Sequence, residues 1–307
     1  MYFLLTIGKT YCILYIGSTY HIKLMEANKM NEYTKSEKVT VCGQLIETVP
    51  GASEKFDRDF QIVKTILEKD DISAADRIQL LSIYKSAYHD GGKIAGVTSY
   101  DSTATNCQFC QAMRKAAANN PAHICRYCYD YAQEHSFRGA NIVNRHSLNM
   151  LIMQSIDFTV DELRMVNATY INRINSSGDT PNETYARNML RLAYANPAFK
   201  FAYWAKNTGA VIAACDELGK PANMTLVQSS PIIGKPVKLA KYFDIVFTVY
   251  ATKEDINAAL AAGAKECNGK KCRDCGYKCY LNGWNPGDNV AEYLRVDAAT
   301  RREMTEK

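Results

Sequence analysis

The sequence predicts an α/β protein with a parallel sheet, barrel-like or a partial barrel, a helical N-terminal section and two cysteine-rich metal-binding segments. Three observations carry this. After Ser147, apolar β-rich runs at 168–174, 199–204, 224–227 and 245–250 alternate with helical stretches near 183–195, 209–218 and 236–242. Strands separated by single helices pair in parallel, and the short connections favour a barrel over a long doubly wound sheet. Before residue 92 the apolar spacing is helical, and eight of the eleven cysteines fall in two short windows.

Residues 1–16, MYFLLTIGKTYCILYI, are apolar, but Lys9 interrupts the run and no basic stretch precedes it, which argues against a signal peptide or a membrane span. Either translation starts at Met25 or Met30, leaving 1–24 outside the native protein, or the segment forms a hairpin or edge strand. Gly8-Lys9-Thr10 lacks the leading glycine of a phosphate loop. From Glu54 to Glu68 apolar residues recur at helical steps. A second helix opens on the capping box of Ser73 and Asp76 and runs toward Gly91-Gly92. Residues 93–106 read as a strand entering a polar loop, followed by helices at 111–119 and 127–136. Thr252 with Asp255 caps a further helix ending at Gly263, and Asp288 to Arg295 reads as a short final helix before a solvated tail. The expected division is a mostly helical extension, 1–92, and a cysteine-bearing α/β domain, 93–307.

At 307 residues and 47% hydrophobic, the chain suffices for one large domain or two ordinary ones. Its net charge of +5 is spread along the chain and permits an acidic partner without demanding one. An odd cysteine count without a secretory leader points to free thiols in a reducing, cytoplasmic compartment rather than to disulfides. Cys12, Cys42 and Cys215 stand alone and read as small core residues.

The other eight read as metal ligands. Cys107 and Cys110 form one C-x2-C pair, and after fourteen residues Cys125 and Cys128 form another. Cys267, Cys272, Cys275 and Cys279 give C-x4-C-x2-C-x3-C. Two-residue gaps turn both sulfurs of a pair toward one centre. Cys272-Arg-Asp-Cys275-Gly276 resembles a zinc knuckle, whereas the C-x4-C-x2-C spacing also suits an iron-sulfur cluster. Lys265, Lys270, Lys271, Arg273 and Lys278 would offset thiolate charge in either case. Sequence leaves open whether the eight form one site or two, and His123 and His146 are further candidate ligands.

In parallel α/β folds, loops at the carboxyl ends of strands build the site. Here those ends carry Asn175 to Asp179, Lys206-Asn207, Gln228 to Pro231 and Tyr250. Asp179 and Lys206 stand out as catalytic candidates; the bland alternatives are helix capping and a solvated loop. Arg173 lies within an apolar strand, where a charge needs a partner or a ligand. No Ser-His-Asp spacing, H-E-x-x-H, glycine-rich dinucleotide turn or phosphate loop occurs.

INRINSSGDTPNETY, FKFAYWAKN, VQSSP, FDIVFTVYA and the closing CGYKCY together resemble the phage-encoded "gene product 88" domain family and related clostridial hypothetical proteins over roughly 93–295. The matching positions are Cys110, Cys125, Cys128, Tyr129, Arg145, Arg173, Gly178, Asp179, Lys206 and the four C-terminal cysteines. Cys107 stands outside the pattern, and a three-cysteine set, leaving an iron open, is what the resemblance implies in favour of iron-sulfur. It implies a setting in a bacterial cell or a phage-infected host and no particular reaction.

The expectation is a protein with one or two [4Fe-4S] clusters, an enzyme of redox or radical chemistry on a small or nucleotide-like substrate. Arg173 and Lys206 would bind an anionic group, Asp179 would orient substrate or act as base, and Arg145, Ser177, Gly178 and Ser229 would complete the binding site. The alternative is a zinc-stabilised phage or mobile-element protein that binds nucleic acid or a host protein.

Overall fold

In a computed structural model of the chain, the backbone is described for residues 2–7, 10–15, 36–136, 139–267 and 271–294, with side chains from residue 36 onward. Strands β1 (Tyr2–Ile7) and β2 (Thr10–Tyr15) form an antiparallel hairpin, one of the two outcomes expected for that stretch. A second hairpin joins β3 (Glu37–Val41) to β4 (Gln44–Thr48). Its two-residue turn holds Cys42 and Gly43 at φ 47° and 75°, the left-handed pair that follows strand twist. Cys42 is exposed there, not in the core as expected, because a turn tip faces water. Helix α1 (Glu54–Leu67) starts at Ser53, whose side chain accepts the Phe56 N–H, and buries Phe56, Phe60, Val63, Ile66 and Leu67. Helix α2 (Ala74–Ile83) opens on the predicted capping box but ends at Tyr84, well before Gly91.

Strand β5 (Ala87–His89) pairs antiparallel with β6 (Val97–Tyr100). The expected boundary near residue 93 therefore falls between two paired strands, and Phe60, Leu80 and Tyr84 share one core with Tyr100 and Leu148. Helices α3 (Gln108–Ala117), α4 (Tyr129–Glu134), α5 (Ala140–Ser155) and the one-turn α6 (Val160–Leu163) follow, with a 3-10 turn at Ile124–Tyr127. The predicted alternation then appears as β7 (Ile171–Ile174), α7 (Glu183–Ala195), β8 (Lys200–Ala205), α8 (Thr208–Leu218), β9 (Met224–Ser229), β10 (Ile245–Tyr250), α9 (Lys253–Ala261), β11 (Lys265–Cys267) and β12 (Asn289–Tyr293).

Two expectations need correction. The 236–242 stretch is irregular rather than helical. Pro231, Gly234 at φ 71° and Pro236 punctuate it, and the Ala240 N–H is taken by the Gln228 side chain. Residues 288–295, read as a helix, contain β12. It is sandwiched between β10 and β11, parallel to both, with Val290 and Ala291 buried on opposite faces.

The main sheet has the order β11-β12-β10-β9-β8-β7-β6-β5 and is parallel except for β5. It is open, ending in three-residue strands on both sides, so it does not close as the expected barrel. From β6 to β10 the strands march one way, as in a barrel. Then β11 skips a place and β12 inserts behind it, so the march reverses. Right-handed crossovers place connections on one face while strands advance and on the other when they turn back. Accordingly α5, α7 and α8 pack with Tyr100, Ile174, Phe201, Tyr203 and Leu226 on one face. The β11–β12 connection, which carries the cysteines, packs with Val97, Ile171, Ala202, Trp204, Val227 and Ile245 on the other. Among the described residues no helix is long and apolar enough to cross a membrane.

Candidate metal and anion site

The carboxyl ends of β7 to β10 open onto a cavity of about 150 Å³ lined by Asp130, Arg173, Ser176, Gly178, Asp179, Trp204, Lys206, Ser229 and Phe247. Its floor is the loop after β7. Asn175 there adopts φ 59° and its side-chain amide donates to the Trp204 carbonyl. Gly178, at φ 73°, lies so close to Ser102 that an added Cβ would stand 2.3 Å from the Ser102 Oγ. Asp179, 3% exposed, accepts the backbone N–H groups of Thr180, Lys206 and Asn207. Its carboxylate is thereby committed to tying the β7 loop to the start of α8, while the helix that follows Thr180-Pro181 is capped by Asn182 rather than by Asp179, the bland alternative. Burial raises its pKa, against the pull of the Lys206 ammonium 3.9 Å away. Burial works to lower the Lys206 pKa, but Asp179 and the thiols of Cys125, Cys110 and Cys128 hold it above the ordinary lysine range.

Those thiols belong to the first window. Cys107 is fully buried and Cys110 half-buried; Cys107 caps α3, its sulfur 3.4 Å from the Cys110 N–H. Cys128 caps α4 in the same way, 3.5 Å from the Tyr131 N–H. Helix starts present N–H groups and a positive dipole end to sulfur, which favours the thiolate once a proton is displaced. Without such displacement, burial keeps the Cys125 and Cys128 pKa values raised.

In the second window all four cysteines, Cys267, Cys272, Cys275 and Cys279, line one cavity of about 110 Å³. The segment is pinned to the β5–β6 loop. Cys272 N–H donates to the Lys93 carbonyl, and the Tyr277 hydroxyl donates to the Ala95 carbonyl, over Gly96, where a Cβ would stand 2.6 Å from that hydroxyl. Cys272 to Cys275 forms a 3-10 turn that ends on Gly276 at φ 69°. Trp284 Nε1 donates to Cys279 Sγ at 3.3 Å, yet burial pushes the Cys279 thiol up to about 12.

Arg173, Trp204 and Phe247 line both cavities. The Arg173 guanidinium stacks 4.2 Å above the Trp204 ring, and its Nε is buried with no hydrogen-bond partner. Although burial opposes it, the nearby Tyr280, Cys272, Asp101 and Glu292 keep its pKa above the usual range.

The structure thus brings Arg173, Gly178, Asp179, Lys206 and Ser229 together around one cavity, with the thiols of Cys125, Cys110 and Cys128 near enough to act on the Lys206 charge but outside the cavity lining. Ser177 is buried just behind, its N–H held by Asp101. Arg145 is not among the lining residues: it is exposed on α5 with Nη2 3.3 Å from His146 Nε2. His123 spends Nδ1 on the Cys125 N–H, and His146 stands 3.5 Å from Glu134. Lys270 lies outside the described residues. Two residues escaped the sequence reading. Asp130, inside the second C-x2-C helix, lines the cavity, and burial with Asp101 nearby pushes its pKa up to about 6. Asp101, in the loop after β6, accepts from Ser99, Ser176 and the Ser177 N–H, and despite burial His146 and these bonds hold it below the usual carboxylate range. Its position at the end of the first parallel strand was the available signal.

Among the described residues no three His, Cys, Asp or Glu side chains stand in position to hold one metal ion. Compared with family models, curated proteins and solved structures, the chain matches none.

Proposed function

We propose that the chain is an iron-sulfur enzyme in which cysteine-ligated clusters flank a small anion-binding cleft, with redox or radical chemistry on a small substrate. The observation that carries the reading is Arg173. A half-buried guanidinium with an orphaned Nε, shared between the cavity of four cysteines and the cavity of Lys206, calls for negative charge on both sides. A thiolate-ligated cluster supplies it on one side and an anionic substrate on the other. Cys267, Cys272, Cys275 and Cys279 would hold one cluster, and Cys110, Cys125 and Cys128, with or without Cys107, a second. The four thiols of the second window line one cavity, and their C-x4-C-x2-C spacing supports a cluster. When bound, such a cluster supplies electrons. The residues of the chain bind and orient: Arg173 and Lys206 hold the anion, Asp179 positions Lys206, and Ser176 and Ser229 offer hydroxyls. A volume of about 150 Å³ favours a small substrate over a nucleotide-like one. The resemblance to the gene product 88 family, and with it a phage-related setting, belongs to the same proposal.

The second reading keeps zinc. The Cys272–Cys275 turn with Gly276 in the left-handed region has the form of a zinc knuckle, and structural zinc would make this a binding protein for nucleic acid or a host protein. Metal and acid-labile sulfide analysis with an absorption spectrum, on protein purified without oxygen, separates them. Iron with sulfide and a broad visible band are expected. A colourless protein with about two zinc ions and no sulfide overturns the iron-sulfur reading.

A further inference from the structure

A third cavity lies outside the cleft just described, at the amino ends of β9 and β10, where the cysteine segment overhangs the sheet. Its volume is about 520 Å³, against about 150 and 110 Å³ for the two cavities above, and it alone of the three falls in the range of pockets that enclose a whole small molecule. Trp284 and Lys278 line both it and the cysteine cavity. The Trp284 indole is half-buried and fixed by its N–H on Cys279 Sγ. Lys278 lies over the same ring, 4.7 Å from its centroid. Its stem packs against Gly283 so closely that a Cβ there would stand 2.9 Å from the Lys278 Cβ.

The lining charges do not cancel. Lys220 pairs with Asp244, whose other oxygen is held by the Leu226 N–H at 2.7 Å. Lys278 is in no ion pair among the described residues, so two lysines against one aspartate leave one positive charge in surplus. The polar rim is built of amides. Asn282 sits at φ 53°, a left-handed position that asparagine adopts readily, with its Oδ1 accepting from Thr225, which leaves its NH2 for a ligand. Asn285 stands beside it on the same wall. An indole edge and face, carboxamides that read ring heteroatoms, and one fixed cation are the recognition set for a planar heteroaromatic that carries a phosphate.

We propose that this cavity binds a mononucleotide-sized heteroaromatic phosphate, of the flavin or adenine class, with the ring against Trp284 and the phosphate at Lys278. The site extends the reading above, because it stands one indole away from Cys279, but its binding chemistry is independent of which metal the cysteines hold.

The test titrates full-length protein with flavin mononucleotide, riboflavin and adenosine monophosphate, following flavin fluorescence directly and adenosine monophosphate by competition. Flavin mononucleotide should bind with quenching. Lys278→Gln, a change at an exposed side chain, should weaken it at least about tenfold while leaving riboflavin unchanged, and Trp284→Leu should weaken both flavins by a similar factor. Competition by adenosine monophosphate assigns the shared ring-phosphate chemistry; its absence narrows the site to flavin. No binding of flavin mononucleotide or adenosine monophosphate at about 1 mM, or equal affinity in wild type and both variants, overturns the proposal. Iron and sulfide are measured on the same samples. Zinc without sulfide alongside the predicted binding removes the iron-sulfur reading and leaves this site standing.

Discussion

The two cysteine windows have the same number of thiols and reach their positions by opposite means. The first is built into the core: Asp101 to Cys107 are all buried, and the sulfurs of Cys107 and Cys128 sit at helix starts. The second is laid over a finished surface. Between 271 and 288 Tyr280 is the one buried residue among those described, and the segment holds to the rest of the fold through Tyr280, Tyr277, the Asn282–Thr225 bond and backbone bonds from Cys272 to Lys93 and from Gly287 to Asp244. Burial sets what each can tolerate. The first window should be stable without metal and intolerant of volume changes, whereas the second should depend on its ligand for order.

The sharpest way to break the contrast is at the glycines beneath each window. Gly178→Val forces a branched side chain to φ 73° and into the Ser102 backbone and hydroxyl, and should cost about 3 kcal/mol or more in urea unfolding. Gly96→Ala meets only the end of the Tyr277 side chain, at φ 83°, and should cost about 1–2 kcal/mol while exposing the second window to protease. Equal losses would mean that the two segments are equally integral to the fold. Chelation sharpens the point: metal-free protein should be cut first within 271–288, with the first window resistant, as read by mass spectrometry of early fragments.

Acid should act the other way. Glu134 accepts from Thr103, Thr105 and the Ala104 N–H, and although burial opposes it, His146 and Thr105 hold its pKa below the usual range. A carboxylate depressed in the folded state contributes its full stability above its unfolded pKa of about 4.3 and loses it as pH falls through the folded value. Below about pH 4, amide exchange at Thr105 to Cys107 should therefore accelerate more than exchange in β12. The smallest effect is expected for Tyr277→Phe, which removes a single half-buried hydrogen bond and should cost about 1 kcal/mol.

Much of the alternation was legible because periodicity and capping are local. The Ser73-Asp76 box, the Thr252 cap and the strands β7 to β10 all lie where apolar spacing places them. The two topological errors, at β12 and at barrel closure, share a cause in long-range pairing. Whether Val290 and Ala291 belong to a helix or a strand depends on the slot between β10 and β11, which short-range spacing does not encode. Barrel closure failed for the same reason, since nothing near β11 announces that the next strand turns back. At the site, Arg173 was readable as a charge in an apolar strand. Asp130 was not, because the cavity it lines is assembled from loops after β7, β8 and β9, far from it in sequence.

The insertion of β12 also sets an order of events. The slot it fills is bounded by strands that precede it in the chain, and the cysteine segment is the loop that must swing across the sheet to deliver it. Until that last pairing forms, Cys267 to Cys279 hang from β11 by one end only. A centre loaded before insertion could guide the strand home, whereas one loaded afterwards would have to enter beneath a tethered strap. Were the four thiols to hold a metal centre as proposed, assembly of the sheet and loading of the thiols would be successive steps of one process, and refolding speed, rather than final stability, is where added metal should be felt first.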